Sequence, residues 1–311
     1  MGAVASGTQW TITSGDHEAV IVEVGGGLRE YRVAGVEVLD GYADNEMSPA
    51  SHGQILAPWP NRIRDGRYTF AGESYQLFLS EPARHNAIHG LVNWARWHQV
   101  GEATADSVTV EYDLPPQPGY PWALSVRTTW RVGPDGLSAE HRVTNESDTA
   151  CPFGFSVHPY LVVAGVPIAE LSAHVPGRNR LLVDGRLLPI GAARVAGSEF
   201  DFTEPRKLGD AALDMAFGDV IRDPDGGSAV SLTAGDGRGV KVWADAAFGW
   251  WQLFTSDTLP SPRYRRAVAI EPMTCPPDAF RSGRDLITLE PAATWQATWG
   301  LTPLAPPSSP I

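Results

Sequence analysis

Residues 123–132 read ALSVRTTWRV, and the alternation in this stretch decides the class of the fold. Leu124, Val126, Thr128, Trp130 and Val132 fall on one face of an extended chain, with Ser125, Arg127, Thr129 and Arg131 on the other. Successive side chains of a strand point to opposite faces, so this alternation predicts a strand buried on one side. The same rhythm returns near the C-terminus, where Trp295, Ala297, Trp299 and Leu301 alternate with Gln296, Thr298 and Gly300. VTVEYDL (108–114), KVWADAA (241–247), WWQLFTS (250–256) and RAVAIEP (266–272) read as further short strands, and RYTFAGESYQLFL (67–79) as a hairpin around an AGES turn. No segment carries a helical stripe of ten or more residues. The 32 glycines and 26 prolines punctuate the strands instead of clustering, as turns require. The pattern predicts an all-β chain, built as a single large antiparallel β-sandwich over residues 1–303, with LAPPSSPI (304–311) as a loose tail.

Composition narrows the partners. Of the 311 residues, 43% are hydrophobic and 19% charged, the profile of a soluble globular protein. The 24 basic and 36 acidic residues leave a net charge of −12, which repels phosphates and argues against a nucleic-acid or anionic-membrane partner. A small neutral or cationic ligand remains open. Cys151 and Cys275 form no zinc-type spacing or disulfide framework, although a single bridge between them is compatible with the sequence. The N-terminal MGAVASGTQWTITSG has neither a basic leader nor an apolar signal core, and no apolar run is long enough to cross a bilayer. The expected location is cytoplasmic. No segment specifies an oligomer.

Five places plant a polar group where the backbone is constrained. In FGFSVHPYL (153–161), the proline pushes His158 toward extended geometry and interrupts the ladder, so the histidine is expected at a strand end with its ring held stiffly. The alternative is a hydrogen-bonded structural histidine. In APWPNRIRDGRYTF (57–70), Asn61 and Arg62 follow a stiff Pro-Trp-Pro, and arginine presents a rigid fork of donors suited to hydroxyls or carboxylates. A surface arginine paired with Asp65 is the alternative. HNAIHGLVNWARWHQV (85–100) holds His85, His89 and His98, whose spacing without an acidic or cysteine partner is a weak metal signal. His89 precedes a glycine, which permits close approach of a ligand, whereas His85 and His98 are expected to face solvent.

Asp214 lies in KLGDAALDMAFGD (207–219) among Leu213, Met215 and Phe217, where a carboxylate is costly to bury unless hydrogen-bonded. It reads as a binding carboxylate or a loop cap. Glu271 in AVAIEPMTCPPDAF (267–280) ends an apolar strand before a proline, a setting that raises a carboxyl pKa toward acid–base work near neutrality. A salt bridge to Arg263, Arg265 or Arg266 is the structural alternative.

Taken together, PWPNRIRDGRYTFAGESYQL, the His89-Gly90 pair, FGFSVHPYL, LDMAF and AIEPMTCPPDAF resemble, in order and rough spacing, the aldose 1-epimerases or mutarotases. The resemblance covers about residues 15–303 and implies a galactose mutarotase-like sandwich with an open cleft, no metal and no cofactor. It implies that His158 is the general acid and Glu271 the general base, facing each other across the cleft. Arg62, His89 and Asp214 would then hold the sugar, with Asn61 beside them. Leu161 stands where the family often has phenylalanine, and the swap keeps an apolar neighbour. The implied reaction interconverts the α and β anomers of an aldohexose by acid–base ring opening and closure. Trp250, Trp251 and Gln252 lie where cleft-lining residues could sit.

Two other functions fit the same residues. A hexose-6-phosphate 1-epimerase would use the same acid and base, with the SPRYRR run (Arg263, Arg265, Arg266) on the phosphate. A non-catalytic carbohydrate-binding β-sandwich would keep the fold without the chemistry.

Overall fold

Strands whose alternate residues are apolar have one face to bury, and two sheets of them bury it against each other. The computed structural model describes residues 4–305 and has this architecture. A nine-stranded antiparallel sheet runs, neighbour to neighbour, through His98–Gln99, Ser107–Leu114, Leu124–Gly133, Gly136–Asn145, Thr294–Leu304, Gly239–Ala244, Ser228–Thr233, Ser172–His174 and Arg206–Lys207. An eight-stranded sheet runs through Pro189–Arg194, Gly177–Val183, Asp214–Val220, Trp250–Phe254, Val268–Met273, Ser156–Val157 and Ile55–Leu56, and Tyr160–Leu161 also pairs with Val268–Met273. A small N-terminal sheet begins at Gln9–Ser14, and the indole of Trp130 donates to the Gly26 carbonyl beside it.

The alternation that opens the sequence is realised. Leu124, Val126, Thr128, Trp130 and Val132 are buried, and Arg127 and Arg131 are exposed. One cluster of buried apolar side chains runs from Ile12 to Leu301 and draws on both sheets, with Val126 and Trp299 from one and Trp251, Leu253 and Ile270 from the other. Each fully buried side chain of Leu or Phe size contributes about 1.5–3 kcal/mol of transfer free energy. Cys151 and Cys275 are free and buried. Among the described residues, no helix is long and apolar enough to cross a membrane.

Three local expectations are corrected. The hairpin of 67–79 turns on Ala71 and Gly72 alone, both at positive φ, so Glu73 and Ser74 belong to its second strand. Two residues in the left-handed region give the twist that a tight hairpin needs. Glu271 lies inside Val268–Met273, opposite Gln252, because Pro272 faces Trp251 without ending the pairing. Leu304 is the last residue of Thr294–Leu304; the rest of the expected tail, from 306 onward, lies outside the described residues.

Candidate active site

The eight-stranded sheet sends alternate residues to opposite sides. Leu253 and Ile270, paired in register, point into the sandwich core, while their neighbours Gln252 and Glu271, also paired, point the other way. Asp214, two residues before Ala216 (the partner of Gln252), opens the next strand on that same side. Covalent and hydrogen-bonding order therefore brings a carboxylate, an amide and a second carboxylate together on one face.

His158 joins them from the gap between Ser156–Val157 and Tyr160–Leu161. Its carbonyl accepts the Gly53 N–H at 2.9 Å, and its own N–H donates to the Gln54 carbonyl at 3.1 Å. Proline at 159 interrupts the strand but lets its carbonyl take the Ile270 N–H at 3.1 Å. His158 is 5% exposed and Glu271 2%. His158 Nε2 stands 3.4 Å from Glu271 Oε1. The two groups thus adjoin on the cleft floor instead of facing each other across it, a correction imposed by their places on neighbouring strands of one sheet.

The opposite wall comes from Arg62–Arg64 paired with Asn86–Ile88. Arg62 is buried, and its fork grips Glu81, Nε to Oε2 at 2.9 Å and Nη2 to Oε1 at 3.1 Å. Asn86 and Arg84 also donate to Glu81. Asp65, expected as a partner for Arg62, pairs instead with Arg186 and His85. Asn61, at φ 52°, turns its carboxamide oxygen back to the Arg62 N–H at 2.9 Å. His89 has φ 64°, and its N–H donates to the Asn61 carbonyl. A Cβ on Gly90 would collide with the Ala57 carbonyl oxygen, so that glycine serves close approach of backbone, not of a ligand.

All six residues singled out from the sequence, Asn61, Arg62, His89, His158, Asp214 and Glu271, line this one cleft of about 230 Å³. That is below the roughly 300–1,000 Å³ of drug-sized pockets and suits a single sugar ring. Among the described residues, seven buried side-chain polar atoms lack a hydrogen-bond partner, and four of them, His89 Nδ1, His158 Nδ1, Gln252 Oε1 and Glu271 Oε2, belong to the cleft. Unsatisfied buried groups are expensive, and their concentration in one place marks a surface prepared for a polar ligand.

Electrostatics follow from the same burial. Desolvation, reinforced by the Asp214 carboxylate and opposed by Arg62, raises Glu271 well above the usual carboxyl range. Desolvation, with His89 and His52 adding to it, lowers His158 well below the usual imidazole range. His89 is pushed down to about 3 by burial and then by Arg62, so it is a neutral ring. Asp214 is raised by burial, against the pull of Arg62 and Arg84, and its Oδ1 accepts the Gln252 amide at 2.7 Å. A carboxyl group and an imidazole in contact, rimmed by fixed hydrogen-bonding groups, can exchange protons with a bound hydroxyl.

Residues 8–302 match the family model described as aldose 1-epimerase. The chain belongs to the aldose 1-epimerase family. Within the family's neighbourhood, it is 34% identical over 293 residues to the uncharacterized protein YihR of Escherichia coli K12, covering 92% of this chain and 90% of that protein. Against the aldose 1-epimerase of E. coli K12, identity is 26% over 251 residues, covering 78% and 68%. The fold is that of a GalM/aldose epimerase homologue from C. elegans (TM-score 0.83, 18% identity, 95% of this chain and 99% of that one). The galactose 1-epimerase of Lactobacillus acidophilus NCFM superposes with TM-score 0.79 at 19% identity, covering 95% and 93%.

Several residues of this aldose 1-epimerase fold reach the cleft without a motif to announce them. Gln252 is the one with a sequence signal, a polar residue inside the apolar run WWQLF; of its neighbours, Trp251 faces the core and donates to Ser228, and Trp250 donates to Asp285 under the guanidinium of Arg284. Glu81 does not line the cleft itself but holds Arg62, and it bears no mark in sequence because that partner lies 19 positions away. Arg263, Arg265 and Arg266 do not line the cleft; they pair with Asp40, Glu46, Asp257 and Glu37 and leave Glu271 alone. Among the described residues, no group of three or more His, Cys, Asp or Glu side chains is placed to hold a metal ion.

Proposed function

We propose that the protein is an aldose 1-epimerase acting on a free aldohexose, with Glu271 as general base and His158 as general acid. The observation that carries this reading is the 3.4 Å approach of His158 Nε2 to Glu271 Oε1 on the floor of a cleft lined by unpartnered polar atoms. The anomeric hydroxyl and the ring oxygen of an aldose share one carbon, so two adjoining groups can serve one oxygen each.

In the proposed cycle, the Glu271 carboxylate takes the proton of the anomeric hydroxyl as the C1–O5 bond breaks. The bonding pair goes to O5, which takes a proton from the His158 imidazolium. The open-chain aldehyde turns about C1–C2, and the reverse transfers close the ring on the other face of the carbonyl. Glu271 is then a carboxylate again and His158 an imidazolium, so no proton is gained or lost. Ring opening leaves Glu271 protonated and His158 neutral, the state favoured by burial of both groups. Each acid or base contributes ~10²–10⁴ in rate, or roughly 3–5 kcal/mol of barrier. Arg62, His89, Asp214 and Gln252 hold the sugar hydroxyls, Arg62 being braced for this by Glu81 and Asn61. The proton cycle uses only side chains of this chain.

A phosphorylated substrate loses its specific support, because the three arginines of 261–266 are committed elsewhere. Polarimetry of freshly dissolved α-glucose, α-galactose and glucose 6-phosphate tests the reading. Acceleration of a free hexose is expected. Acceleration of glucose 6-phosphate alone would replace the free sugar by the phosphate ester, and no acceleration of any sugar would favour a binding module.

A further inference from the structure

His158 has a second set of neighbours, which begins at Tyr160 on the lining of the cleft and continues behind it through His52 and Asp40. Residues two apart in an extended segment project to the same side, which puts Tyr160 beside His158 with Pro159 stiffening the link. The two rings are parallel, with 5.0 Å between centroids and 8° between planes. Tyr160 stacks in turn on His52, at 3.6 Å and again 8°. His52 is buried, with Nδ1 against the Pro49 carbonyl and Nε2 3.1 Å from Asp40 Oδ2. Asp40 is fixed from the other side, accepting Arg263 Nη1 on Oδ2 at 2.9 Å and Arg266 Nε on Oδ1 at 2.5 Å. The Tyr160 hydroxyl donates to the Ala50 carbonyl at 3.1 Å, and Ala50 and Ser51 line the cleft with φ of 46° and 63°.

A continuous series of contacts thus leads from the 261–266 loop through Asp40, His52 and Tyr160 to the imidazole of His158. His52 and Asp40 do not line the cleft themselves. Proton transfer tolerates little error, since a misplacement of about 1 Å costs on the order of a hundredfold in rate. An imidazole turns freely about its side-chain torsions unless something holds its plane. Burying Asp40 with His52 is a poor way to gain stability alone, because desolvation offsets much of the attraction, and Arg266 reaches in from an exposed position.

We infer that His52 and Tyr160 are positioning residues that hold the plane of His158 so that Nε2 stays against Glu271, and that Arg263 and Arg266 support this stack through Asp40. The inference rests on His158 being the acid of the proposed reaction. It also gives a task to the basic run that the sequence offered as a phosphate site.

Two substitutions at His52 separate positioning from packing. His52→Phe keeps a flat ring against Tyr160, whereas His52→Leu keeps apolar bulk without the plane. Per folded molecule, His52→Leu is expected to lower kcat about tenfold or more with KM within about twofold, and His52→Phe to restore most of the loss. The ring signals of His158 in NMR should move in the leucine variant and hold in the phenylalanine variant. A folded His52→Leu with wild-type kcat and unmoved His158 signals overturns the inference, as does an equal loss in both variants. If the leucine variant does not fold, the wild-type protein still decides: ring protons of His158 are expected upfield of free histidine from the adjoining Tyr160 ring, and unshifted signals overturn the stack. Absence of mutarotation in the wild type would sink the acid assignment instead, leaving the NMR result to judge the stack by itself.

Discussion

Two buried histidines, one in each sheet, are treated in opposite ways. His141 lies in Gly136–Asn145 of the nine-stranded sheet, with Nδ1 2.8 Å from Thr128 Oγ1 and Nε2 accepting the Trp299 indole N–H at 2.9 Å. Both nitrogens are matched, and burial pushes the ring down to about 3, so it is neutral in a single tautomer. His158, in the eight-stranded sheet, is as deeply placed and also depressed by burial. Its Nδ1 has no partner, and its Nε2 faces a carboxyl group whose other oxygen has none either. Burial and pKa do not distinguish the two rings; hydrogen-bond satisfaction does. A satisfied buried ring belongs to the fold, and an unsatisfied one beside a cleft is held ready for something that comes and goes.

The contrast can be broken by substitution on each side. Glu271→Gln keeps shape and hydrogen-bonding capacity but removes basicity, so mutarotation is expected to fall by ~10²–10⁴ while sugar affinity changes by less than tenfold. Stopped-flow polarimetry with calorimetric titration checks this, and near-normal turnover in the folded variant would leave the protein a binding module. His158→Asn tests the acid in the same way.

At the other ring, His141→Leu strands the Thr128 hydroxyl and the Trp299 indole in the core. Each unsatisfied group costs about 1–3 kcal/mol, so the loss should appear in urea unfolding, with turnover per folded molecule within about twofold of wild type. A loss of turnover without a loss of stability would erase the distinction between the two histidines.

The wall of the cleft is expected to respond less. Arg62→Lys keeps the charge but cannot fork onto Glu81, and should raise KM about tenfold with a smaller change in kcat. Unchanged KM would place the sugar away from this wall.

A pH series sharpens the comparison further. A ring held near 3 when folded takes up its proton only in the unfolded chain between about 6.5 and 3. Stability is therefore full above pH 6.5 and declines as pH falls, by up to about 1.4 kcal/mol per unit for each such ring. His141→Leu removes one of these rings, and its acid limb should be shallower by that slope. Parallel limbs would mean that His141 is protonated in the fold. The smallest expected effect is none: exhaustive chelation should leave mutarotation unchanged, and activity lost to chelator and restored by a divalent ion would assign the histidines of 85–98 a metal.

Much of this molecule was legible residue by residue. The alternation in 123–132 and 295–301 follows from the two-residue period of a strand, and both stretches became central strands of the nine-stranded sheet. The motifs around Arg62, His89, His158, Asp214 and Glu271 were legible because proline, glycine and apolar neighbours constrain a polar group locally. The short strands of the eight-stranded sheet were less so: Ile55–Leu56, Ser156–Val157 and Tyr160–Leu161 are two residues each, too few to show a period. The sequence points to a strand end at Glu271, since proline interrupts most ladders, whereas the missing N–H of Pro272 is tolerated where it meets Trp251.

By itself, then, the sequence determined the strand class, the family motifs and the residue types of the cleft, since these depend on neighbours within a few positions. Only the tertiary structure decided who touches whom. It set His158 next to Glu271 instead of across from it, gave Arg62 to Glu81 instead of Asp65, and turned Arg263 and Arg266 onto Asp40 behind the Tyr160 stack. Such pairs lie 19 to 226 positions apart in the chain. They form where strand register and loop closure bring charges out of water together, and no local rule of period or turn carries that information.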